Sequence, residues 1–464
     1  MTLDAEQKRI VESTAKNIVV VAGAGSGKTT VLTQRIRYLI EHEGVIPEDI
    51  IAITFTNAAA DEMRERLSDI KDVDTMFIGT IHSFANALLQ IACPDEYYTV
   101  LSEEEFLRAA NVLCKKYCRY LTADRIMEYM EIKEKARNGR AEWTDVNDYF
   151  EAEEENEFLM MMRKDVNKVP NARYPESIYS WCEDRNILTF DNLIVYAKKN
   201  LGKDFSFPYL FVDEYQDVGV LEDGFIRALE ADHTFIVGDD WQSIYGFKGA
   251  NVDIFKSYVK SNDCTVYYLN RNYRSAEGII KLAETVISDD REKIDKKVVP
   301  VKNEKGTIAL EKEEKIVSVL KEIRKNNNYK EWFFLARTRK NMNFIYDWCE
   351  MLGIPAVFFS REGMSKEQER ELLSRNAVKV ATIHGVKGLE SDNVLLYGDF
   401  PIYGEMPISC IDNRQKMLNW YEERRIMYVG ITRAKNSIVI LSNENTEDNM
   451  ECAYMEYVNR IKAM

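Results

Sequence analysis

The sequence predicts an α/β protein in which helices cover parallel sheets. Two short, wholly apolar runs, Ile18–Val21 and Ile50–Phe55, have the length and composition of strands that are buried on both faces. Each run is followed by a loop and then by a stretch with a helical pattern, at Thr29–Glu41 and Ala58–Leu67. Strands and helices that alternate in this order are typical of a parallel sheet.

The same alternation returns in the second half of the chain. Apolar runs that end in acidic residues begin at Tyr209 and His233, and four more candidate strands follow: Trp332–Ala336, Val378–Thr382, Val394–Tyr397 and Ile438–Leu441. Residues 89–187 are rich in Glu, Lys, Tyr and Met and contain no convincing strand, so they predict a helical insertion. Ser288–Lys305 is predicted to be a solvated connection.

The length and composition are those of a large globular protein. The 464 residues suggest about three domains, and 45% of the residues are hydrophobic. No apolar run approaches the roughly 18 residues that cross a bilayer, and the N-terminus has no apolar signal-peptide core. The eight cysteines form no CxxC pair, which is typical of reduced thiols. These features predict a cytoplasmic protein with no membrane partner.

The chain is acidic, with 62 Lys and Arg residues against 77 Asp and Glu residues and a net charge of -15. A net charge of this sign argues against a protein that coats duplex DNA through general electrostatics. The net charge is compatible with a nucleic acid that binds in a local groove. The motifs are therefore the better evidence about the partner.

A phosphate-binding loop follows the first candidate strand. Ala22–Thr29 reads AGAGSGKT and lies between an apolar strand and a predicted helix. Its glycines allow a tight turn whose backbone N–H groups form an anion site together with the helix N-terminus. Lys28 would reach the β- and γ-phosphates of ATP, and Thr29 would bind Mg²⁺. The alternative is a plain Gly-rich turn, but the flanking strand and helix favour the phosphate site.

Two carboxylates at the end of a later strand supply the groups that such a site still needs. Asp213 and Glu214 follow the apolar run Leu210–Val212. Asp213 would hold Mg²⁺, and Glu214 would orient or deprotonate the attacking water. Alone, the pair could be two solvated acids, but beside the phosphate loop it indicates ATP hydrolysis.

Asp213 and Glu214 belong to an ordered series of motifs. In chain order the series is Leu3–Gln7 (LDAEQ), Ala52–Leu67 (AITFTNAAADEMRERL), Gly79–Phe84 (GTIHSF), Asp213–Asp217 (DEYQD), Gly238–Ala250 (GDDWQSIYGFKGA), Leu269–Ser275 (LNRNYRS), Thr382–Glu390 (TIHGVKGLE) and Glu422–Ala434 (EERRIMYVGITRA). This series resembles the UvrD/Rep-type helicases of superfamily 1A, and the resemblance covers nearly the whole chain outside residues 89–187. It implies two RecA-like domains that bind ATP between them.

The resemblance also implies which residues bind the nucleotide. Gln7 would bond the adenine edge, because its amide offers one donor group and one acceptor. Tyr273 would stack on the adenine, Arg35 would cover its other face, and Glu390 would contact the ribose or the γ-phosphate region. The remaining positions are those of the loop and of the turn that follows it: Ala22, Gly23, Ala24, Gly25, Ser26, Gly27, Lys28, Thr29 and Thr30.

Catalytic roles are implied in the same way. Lys28 and Glu214 would act from the first domain, and Gln242 would sense the γ-phosphate from the end of its strand. Arg274 and Arg433 would reach this phosphate from the second domain. Guanidinium groups suit this task because they stay charged and bind phosphate oxygens through paired hydrogen bonds.

A path for single-stranded DNA is implied as well. Tyr245 and Phe247 would offer rings on which bases stack, at about 1–3 kcal/mol per base and without regard to sequence. Contacts with the DNA backbone are implied for Thr56, Asn57, Thr80, His82 and His384. Phe247 and the two histidines could equally be core side chains.

Three positions depart from the family pattern. Ala58 stands where Lys usually follows TFTN, which removes a phosphate contact. Lys248 replaces the usual Arg, and Ser391 replaces an aromatic residue. None of the three belongs to the chemistry of ATP.

The motifs divide the chain into domains. Residues 1–88 and 188–271 would form the first RecA-like domain, 1A, interrupted by a helical insertion, 1B, at 89–187. Residues 272–464 would form the second RecA-like domain, 2A. Longer relatives carry a further helical domain, 2B, before the TIHGVKGLE motif. Here about twenty residues separate Phe359 from Val378, which leaves room for only a helix or a loop.

The main interpretation is an ATP-dependent DNA helicase or translocase that uses ATP and Mg²⁺ and moves 3′→5′ on single-stranded DNA. The alternative is an ATP-gated DNA-binding or sensing subunit of a larger complex. Its partner would be a nuclease or another protein subunit, as in bacterial anti-phage systems such as Gabija. A neighbouring nuclease gene would favour this alternative.

Overall fold

The computed structural model describes residues 3–102, 105, 186–202, 205–288, 290–361, 364–398 and 414–442. Most of the predicted insertion at 89–187 therefore lies outside the described residues. No helix in the described part of the chain is long and apolar enough to cross a membrane.

Sixteen strands occur among the described residues. In chain order they are β1 (Asn17–Ala22), β2 (Ile50–Thr54), β3 (Phe77–Thr80), β4 (Thr99–Val100), β5 (Ile187–Leu188), β6 (Tyr209–Val212), β7 (His233–Gly238), β8 (Thr265–Leu269), β9 (Arg271–Asn272), β10 (Val299–Pro300), β11 (Thr307–Lys312), β12 (Trp332–Ala336), β13 (Ala356–Phe358), β14 (Val378–Thr382), β15 (Ser391–Tyr397) and β16 (Ala434–Ser442).

Twelve α-helices accompany these strands in the same described ranges. They are α1 (Ala5–Val11), α2 (Lys28–His42), α3 (Asn57–Leu67), α4 (Ile81–Ala92), α5 (Phe190–Lys199), α6 (Val220–Ala228), α7 (Val252–Val259), α8 (Glu277–Ile287), α9 (Ile316–Asn326), α10 (Arg339–Met351), α11 (Lys366–Ser374) and α12 (Arg414–Ile431).

The first sheet is parallel throughout and has the order β3-β2-β6-β7-β1-β8. Its central strands are buried on both faces, as their apolar sequences require. Helices α1, α2 and α3 pack on one face, and α4, α5, α6 and α7 pack on the other. The carboxyl ends of β1, β2, β6 and β7 lie along one edge, where the predicted motifs begin.

The second sheet is also parallel, with the order β11-β16-β15-β12-β14-β13. Helices α8 and α12 cover one face, and α9 and α10 cover the other. Two parallel sheets with helices on both faces confirm the predicted fold class. All four candidate strands of the second half are present, and β15 and β16 are longer than predicted.

The core of the second domain continues into the first. Ala24, Trp241 and Ile244 are buried in the same apolar cluster as the α8 and α12 side chains. The two domains therefore share one packed interface, and this interface lies beside the carboxyl edge of the first sheet.

Three details differ from the expectations. Helix α4 runs past residue 88 to Ala92, and β4 pairs with β5, although no strand was expected between residues 89 and 187. Ser288–Lys305 is not wholly solvated, because the Lys296 side chain is only 2% exposed. The composition of Ser288–Lys305 suggested a solvated segment, whereas β4 and β5 lie in a region whose composition suggested helices. In both places contacts between distant segments decided otherwise.

A single helix occupies the described residues between β13 and β14, where longer relatives would carry 2B. Helix α11 begins with a capping box in which Ser365 and Gln368 bond each other's backbone N–H groups. Lys366 and Arg370 extend from it to Glu65 of α3, at 2.7 and 3.0 Å. This helix therefore contacts the first domain directly.

Candidate nucleotide and nucleic-acid site

The phosphate loop joins β1 to α2 and has no room for side chains at two of its glycines. Gly25 and Gly27 have φ values of 65° and 85°, which disfavour any residue with a Cβ. A Cβ on Gly25 would lie 2.6 Å from the Cβ of Arg274, and one on Gly27 would lie 2.9 Å from Nε2 of Gln7. A tight Gly-rich loop at a helix N-terminus is the type of backbone arrangement that binds phosphates.

The loop is also held by its own polar groups. Ser26 is buried, and its hydroxyl donates to the Gly23 carbonyl at 2.8 Å. From the second domain, Nδ2 of Asn272 donates to the Ala24 carbonyl at 2.7 Å, and the Tyr273 N–H donates to the Gly25 carbonyl at 2.9 Å. The segment after β8 therefore closes over the loop.

Lys28 is the first residue of α2, and its ammonium lies 3.2 Å from Oε2 of Glu214. Burial alone would lower the pKa of Lys28, but the charges of Glu214, Asp239 and Asp213 raise it above its usual value. Lys28 is therefore positively charged, as a phosphate-binding lysine must be.

Asp213 and Glu214 follow β6 at the same edge of the sheet. Burial and the charge of Glu214 raise the pKa of Asp213. Burial also acts against ionised Glu214, yet Lys28 and Lys387 hold its pKa below the usual range. Asp213 is buried, whereas the Glu214 side chain is 24% exposed. The carboxylate of Asp213 and the hydroxyl of Thr29, the second residue of α2, are oxygen donors of the kind that Mg²⁺ prefers.

The backbone around Glu214 is strained. Its φ of 53° is left-handed, and its carboxylate accepts a hydrogen bond of 2.5 Å from Nε2 of Gln216. The Glu214 N–H donates to Asp213 at 2.8 Å. Gln216 and Lys28 together hold the carboxylate of Glu214, and the bond to Asp213 fixes its backbone.

Gln242 and Arg433 meet across the domain interface. Nη2 of Arg433 donates to Oε1 of Gln242 at 3.0 Å, and Nε2 of Gln242 donates to Asp239. Burial and the neighbouring Arg274 lower the pKa of Arg433 to about 9, so the guanidinium is still protonated at neutral pH. Two of the three residues predicted to reach the γ-phosphate are thus in contact with each other.

Arg274 and Glu390 also pair, within the second domain. Nε of Arg274 donates to Glu390 at 2.7 Å, and Lys435 lies 2.8 Å from the same carboxylate. Burial opposes ionisation of Glu390, but the two cations lower its pKa to about 2. Glu390 therefore orients Arg274, whose Cβ lies close to Gly25 of the phosphate loop.

Gln7 and Tyr273 flank the mouth of the loop. Gln7 donates to the Ser26 carbonyl at 3.3 Å and takes part in a capping box with Asp4, whose carboxylate also accepts the Tyr273 hydroxyl. Thr30 accepts a hydrogen bond of 3.3 Å from Arg66 of α3. Both sequence predictions for this side, Gln7 and Tyr273, lie near the loop.

Arg35 does not lie there, which corrects the expectation that it covers the adenine. It stands seven residues beyond Lys28, about 10 Å along the axis of α2. Its buried guanidinium donates to the Val11 carbonyl at 2.7 Å and lies 5.7 Å from the ring of Tyr38. Arg35 therefore joins α1 to α2.

Two helix N-termini lie at the ends of neighbouring strands β2 and β3. Thr56 caps α3, whose first residue is Asn57, and Thr80 caps α4; each hydroxyl accepts a backbone N–H at 3.2 Å. Helix N-termini favour anions, and side by side they suit successive phosphates of a DNA strand. The capping bonds show that both threonines also begin their helices.

His82 and His384 are neutral side chains at neutral pH. Burial lowers the pKa of His82, whose ring meets the edge of Phe190 at 5.0 Å. Burial, with the nearby charge of Arg337, lowers the pKa of His384 to about 4. Neither ring offers a positive charge to phosphate, so any contact with DNA would be a hydrogen bond or stacking.

An aromatic cluster bridges the domains beside the nucleotide residues. It consists of Tyr245 and Phe247, His384 of the second domain, and Phe55. Phe55 stacks on Tyr245 at 5.1 Å, and Phe247 meets His384 at 5.3 Å. Phe247 is 60% exposed, which is a high value for so large an apolar ring. The ring of Phe247 is therefore available for stacking.

Sequence reasoning missed Phe55, Lys387 and Lys296. Phe55 lies inside the quoted TFTN motif, and Lys387 lies inside TIHGVKGLE. Lys387 donates to Asp217 and to the Gln242 carbonyl, and its ammonium lies 4.7 Å from the Tyr245 ring. It thus touches both the nucleotide residues and the aromatic cluster. No sequence signal distinguished Lys296 from its neighbours.

Two family models match the chain. The UvrD/REP helicase N-terminal domain matches residues 3–263, and the UvrD-like helicase C-terminal domain matches residues 356–445. The first match covers more than half of the sequence and includes the phosphate loop, DEYQD and the GDDWQ segment.

Several curated proteins are similar in sequence. A probable DNA helicase of Mycoplasma pneumoniae is 28% identical, over 95% of this chain and 83% of its own length. The ATP-dependent DNA helicase Rep of Buchnera aphidicola is 31% identical over 64% of this chain, and DNA helicase II of Escherichia coli is 29% identical over 64%. The matches cover 47% and 42% of those two relatives, so the chain spans less than half of each.

Proposed function

Because the chain belongs to the UvrD/Rep helicase family and so to the ATP-dependent DNA helicases, we propose that it moves 3′→5′ along single-stranded DNA. The observation that carries this proposal is that both sites are shared between the two domains. Gln242 bonds Arg433 in the nucleotide region, and Phe247 meets His384 in the aromatic cluster. A change in the domain interface would therefore alter both sites at once.

Each step of ATP hydrolysis would be carried out by a different group of these residues. Lys28 and the N–H groups of the loop would hold the phosphates, and Glu214 would orient the attacking water. Arg274 and Arg433 would stabilise the charge that develops on the γ-phosphate. Mg²⁺, held by Thr29 and Asp213, would neutralise phosphate charge.

Movement on DNA would follow from opening and closing of the domain interface. Lys387 lies where such a change would be passed on, because it bonds Asp217 and touches the ring of Tyr245. Each ATP cycle would then alternately tighten and release bases at the aromatic cluster. The helix N-termini at Thr56 and Thr80 would hold the backbone meanwhile.

Strand separation would be weak in the isolated chain. Helix α11 stands where longer relatives carry 2B, and residues 89–187 contain 14 Lys and Arg against 21 Asp and Glu. An acidic insertion is a poor duplex-binding surface. We therefore propose that a partner restores unwinding. The sensing-subunit alternative has no separate observation in its favour.

The test measures ATP hydrolysis with and without single-stranded DNA over a range of salt concentrations. Hydrolysis should rise with DNA, and the rise should shrink with salt because phosphate contacts release counterions. Phe247→Ala should lower the stimulation and leave basal hydrolysis largely intact. DNA-independent hydrolysis at low salt would contradict the motor. Displacement of streptavidin from the 5′ end but not the 3′ end of a strand would establish the polarity.

A further inference from the structure

Lys296 lies between α8 and β10, in a segment whose sequence suggests a solvated connection. Its side chain is 2% exposed. The ammonium donates to Oδ1 of Asp240 at 2.9 Å, to the Ala22 carbonyl at 3.0 Å and to the carboxylate of Asp239. It also lies 4.6 Å from the centroid of the Trp241 ring. A lysine this deeply buried is held by its partners, because burying an unpaired charge is costly.

The backbone of this segment is fastened independently of the lysine. The Ile294 N–H donates to Oδ2 of Asp240 at 2.7 Å, and Nε1 of Trp241 donates to the Ile294 carbonyl at 3.1 Å. These two bonds attach Ile294 to Asp240 and Trp241 of the first domain. This attachment places the Lys296 ammonium beside Ala22, at the start of the phosphate loop.

Asp239 connects Lys296 to the nucleotide residues. It is fully buried, its N–H donates to Gln216 at 2.8 Å, and its second carboxylate oxygen accepts from Gln242. Gln242 in turn bonds Arg433. Lys296 and Gln242 therefore hold opposite oxygens of one carboxylate.

We propose that Lys296 is a positioning residue of the ATPase: by neutralising Asp239 and Asp240 it fixes Gln242 toward the γ-phosphate and leaves Lys28 for the nucleotide. The inference rests on the proposed ATP hydrolysis. Without Lys296, Asp239 would be a buried anion that competes with phosphate for Lys28, whose pKa it already raises. Gln242 would then lose its fixed acceptor.

The sequence offers a matched control in the neighbouring Lys297, which is exposed. Lys296→Met and Lys297→Met remove the same charge one residue apart. A third variant combines Lys296→Met with Asp239→Asn, so that the carboxylate shared by Lys296 and Gln242 no longer needs a cation. If loss of Lys296 prevents folding, this double variant still tests the pairing.

The experiment measures DNA-stimulated hydrolysis and the affinities for ADP and for a non-hydrolysable ATP analogue. Lys296→Met should lower kcat about tenfold or more. It should also reduce the affinity for the ATP analogue more than the affinity for ADP, because Gln242 would face the γ-phosphate. Lys297→Met should match wild type, and the double variant should recover part of the loss. A purely structural defect would reduce the affinities for ADP and for the ATP analogue by the same factor.

ATP hydrolysis by the wild-type chain distinguishes failure of the proposed function from failure of the role of Lys296. If wild type hydrolyses no ATP, the proposed function fails. If wild type is active and Lys296→Met behaves like Lys297→Met, or the double variant is no better than Lys296→Met, the role of Lys296 is overturned while the ATPase stands.

Discussion

At the scale of single residues, the nucleotide site is a set of charges that burial makes interdependent. Lys28 serves Glu214 as an ion-pair partner and is influenced by Asp239 and Asp213 as well. Arg433 stays buried because two carbonyls and Gln242 accept its N–H groups. Removing one member therefore changes the protonation or position of others, and effects of single substitutions should not add.

Lys28→Ala and Glu214→Gln should each reduce ATP turnover by at least ~100-fold, since one removes a phosphate ligand and the other the group that orients water. They should differ in binding. Glu214→Gln keeps Lys28, Thr29 and Asp213 and should still bind ATP, which equilibrium binding of a fluorescent ATP analogue would measure. Turnover near wild type in either variant would refute the site.

His384 should make stability depend on pH. Its pKa of about 4 in the folded chain is lower than the usual 6.5, because burial, Arg337 and Lys387 disfavour its cation. The unfolded chain then binds the proton first as the pH falls, so stability should fall between pH 6.5 and 4. From pH 7 to 5 the wild type should lose about 1–2 kcal/mol more than His384→Gln. Equal losses in urea unfolding would contradict this.

At the scale of elements, helix α11 connects the domains through charge. Lys366 and Arg370 both reach Glu65 of α3, while Arg361 holds Glu369 on α11 itself at 3.1 Å. The two contacts with Glu65 are exposed, so they should contribute little to stability and should weaken with salt. Their position favours an effect on the relative placement of the two domains instead.

Glu65→Arg should lower DNA-stimulated ATP hydrolysis several-fold at low salt, since like charges would repel α11 from α3. Adding Lys366→Glu and Arg370→Glu to the same chain should restore activity by reversing both sides of the contact. Glu62→Arg is the matched control, because Glu62 pairs within α3 with Arg66. No recovery in the reversed variant would show that the contact has no role.

At the scale of the whole molecule, two parallel sheets share one interface core and carry no 2B-sized insertion among the described residues of 2A. We expect the purified chain to translocate on single strands better than it unwinds duplexes. Stopped-flow translocation beside strand displacement on the same DNA would measure this. Processive unwinding of long duplexes by the monomer would refute the expectation.

The fold class was predictable from sequence, and the candidate nucleotide residues could be selected there, because both depend on local patterns. Buried parallel strands are continuous apolar runs, so the runs IVVV and IIAIT identify two strands directly. The glycines and Lys28 lie within eight consecutive residues, and Asp213 and Glu214 directly follow a strand. Chain order alone placed these groups at one edge of a sheet.

Tertiary packing decided what depends on the partner of a side chain. Arg35 and Lys296 are both cations in unremarkable local sequence, yet one joins α1 to α2 and the other reaches Asp239 and the phosphate loop. Phe55 stacks on Tyr245 because the segments that follow β2 and β7 come together in the folded chain. A charge or ring carries no local sign of which buried group it will meet, since that contact forms between segments distant in sequence.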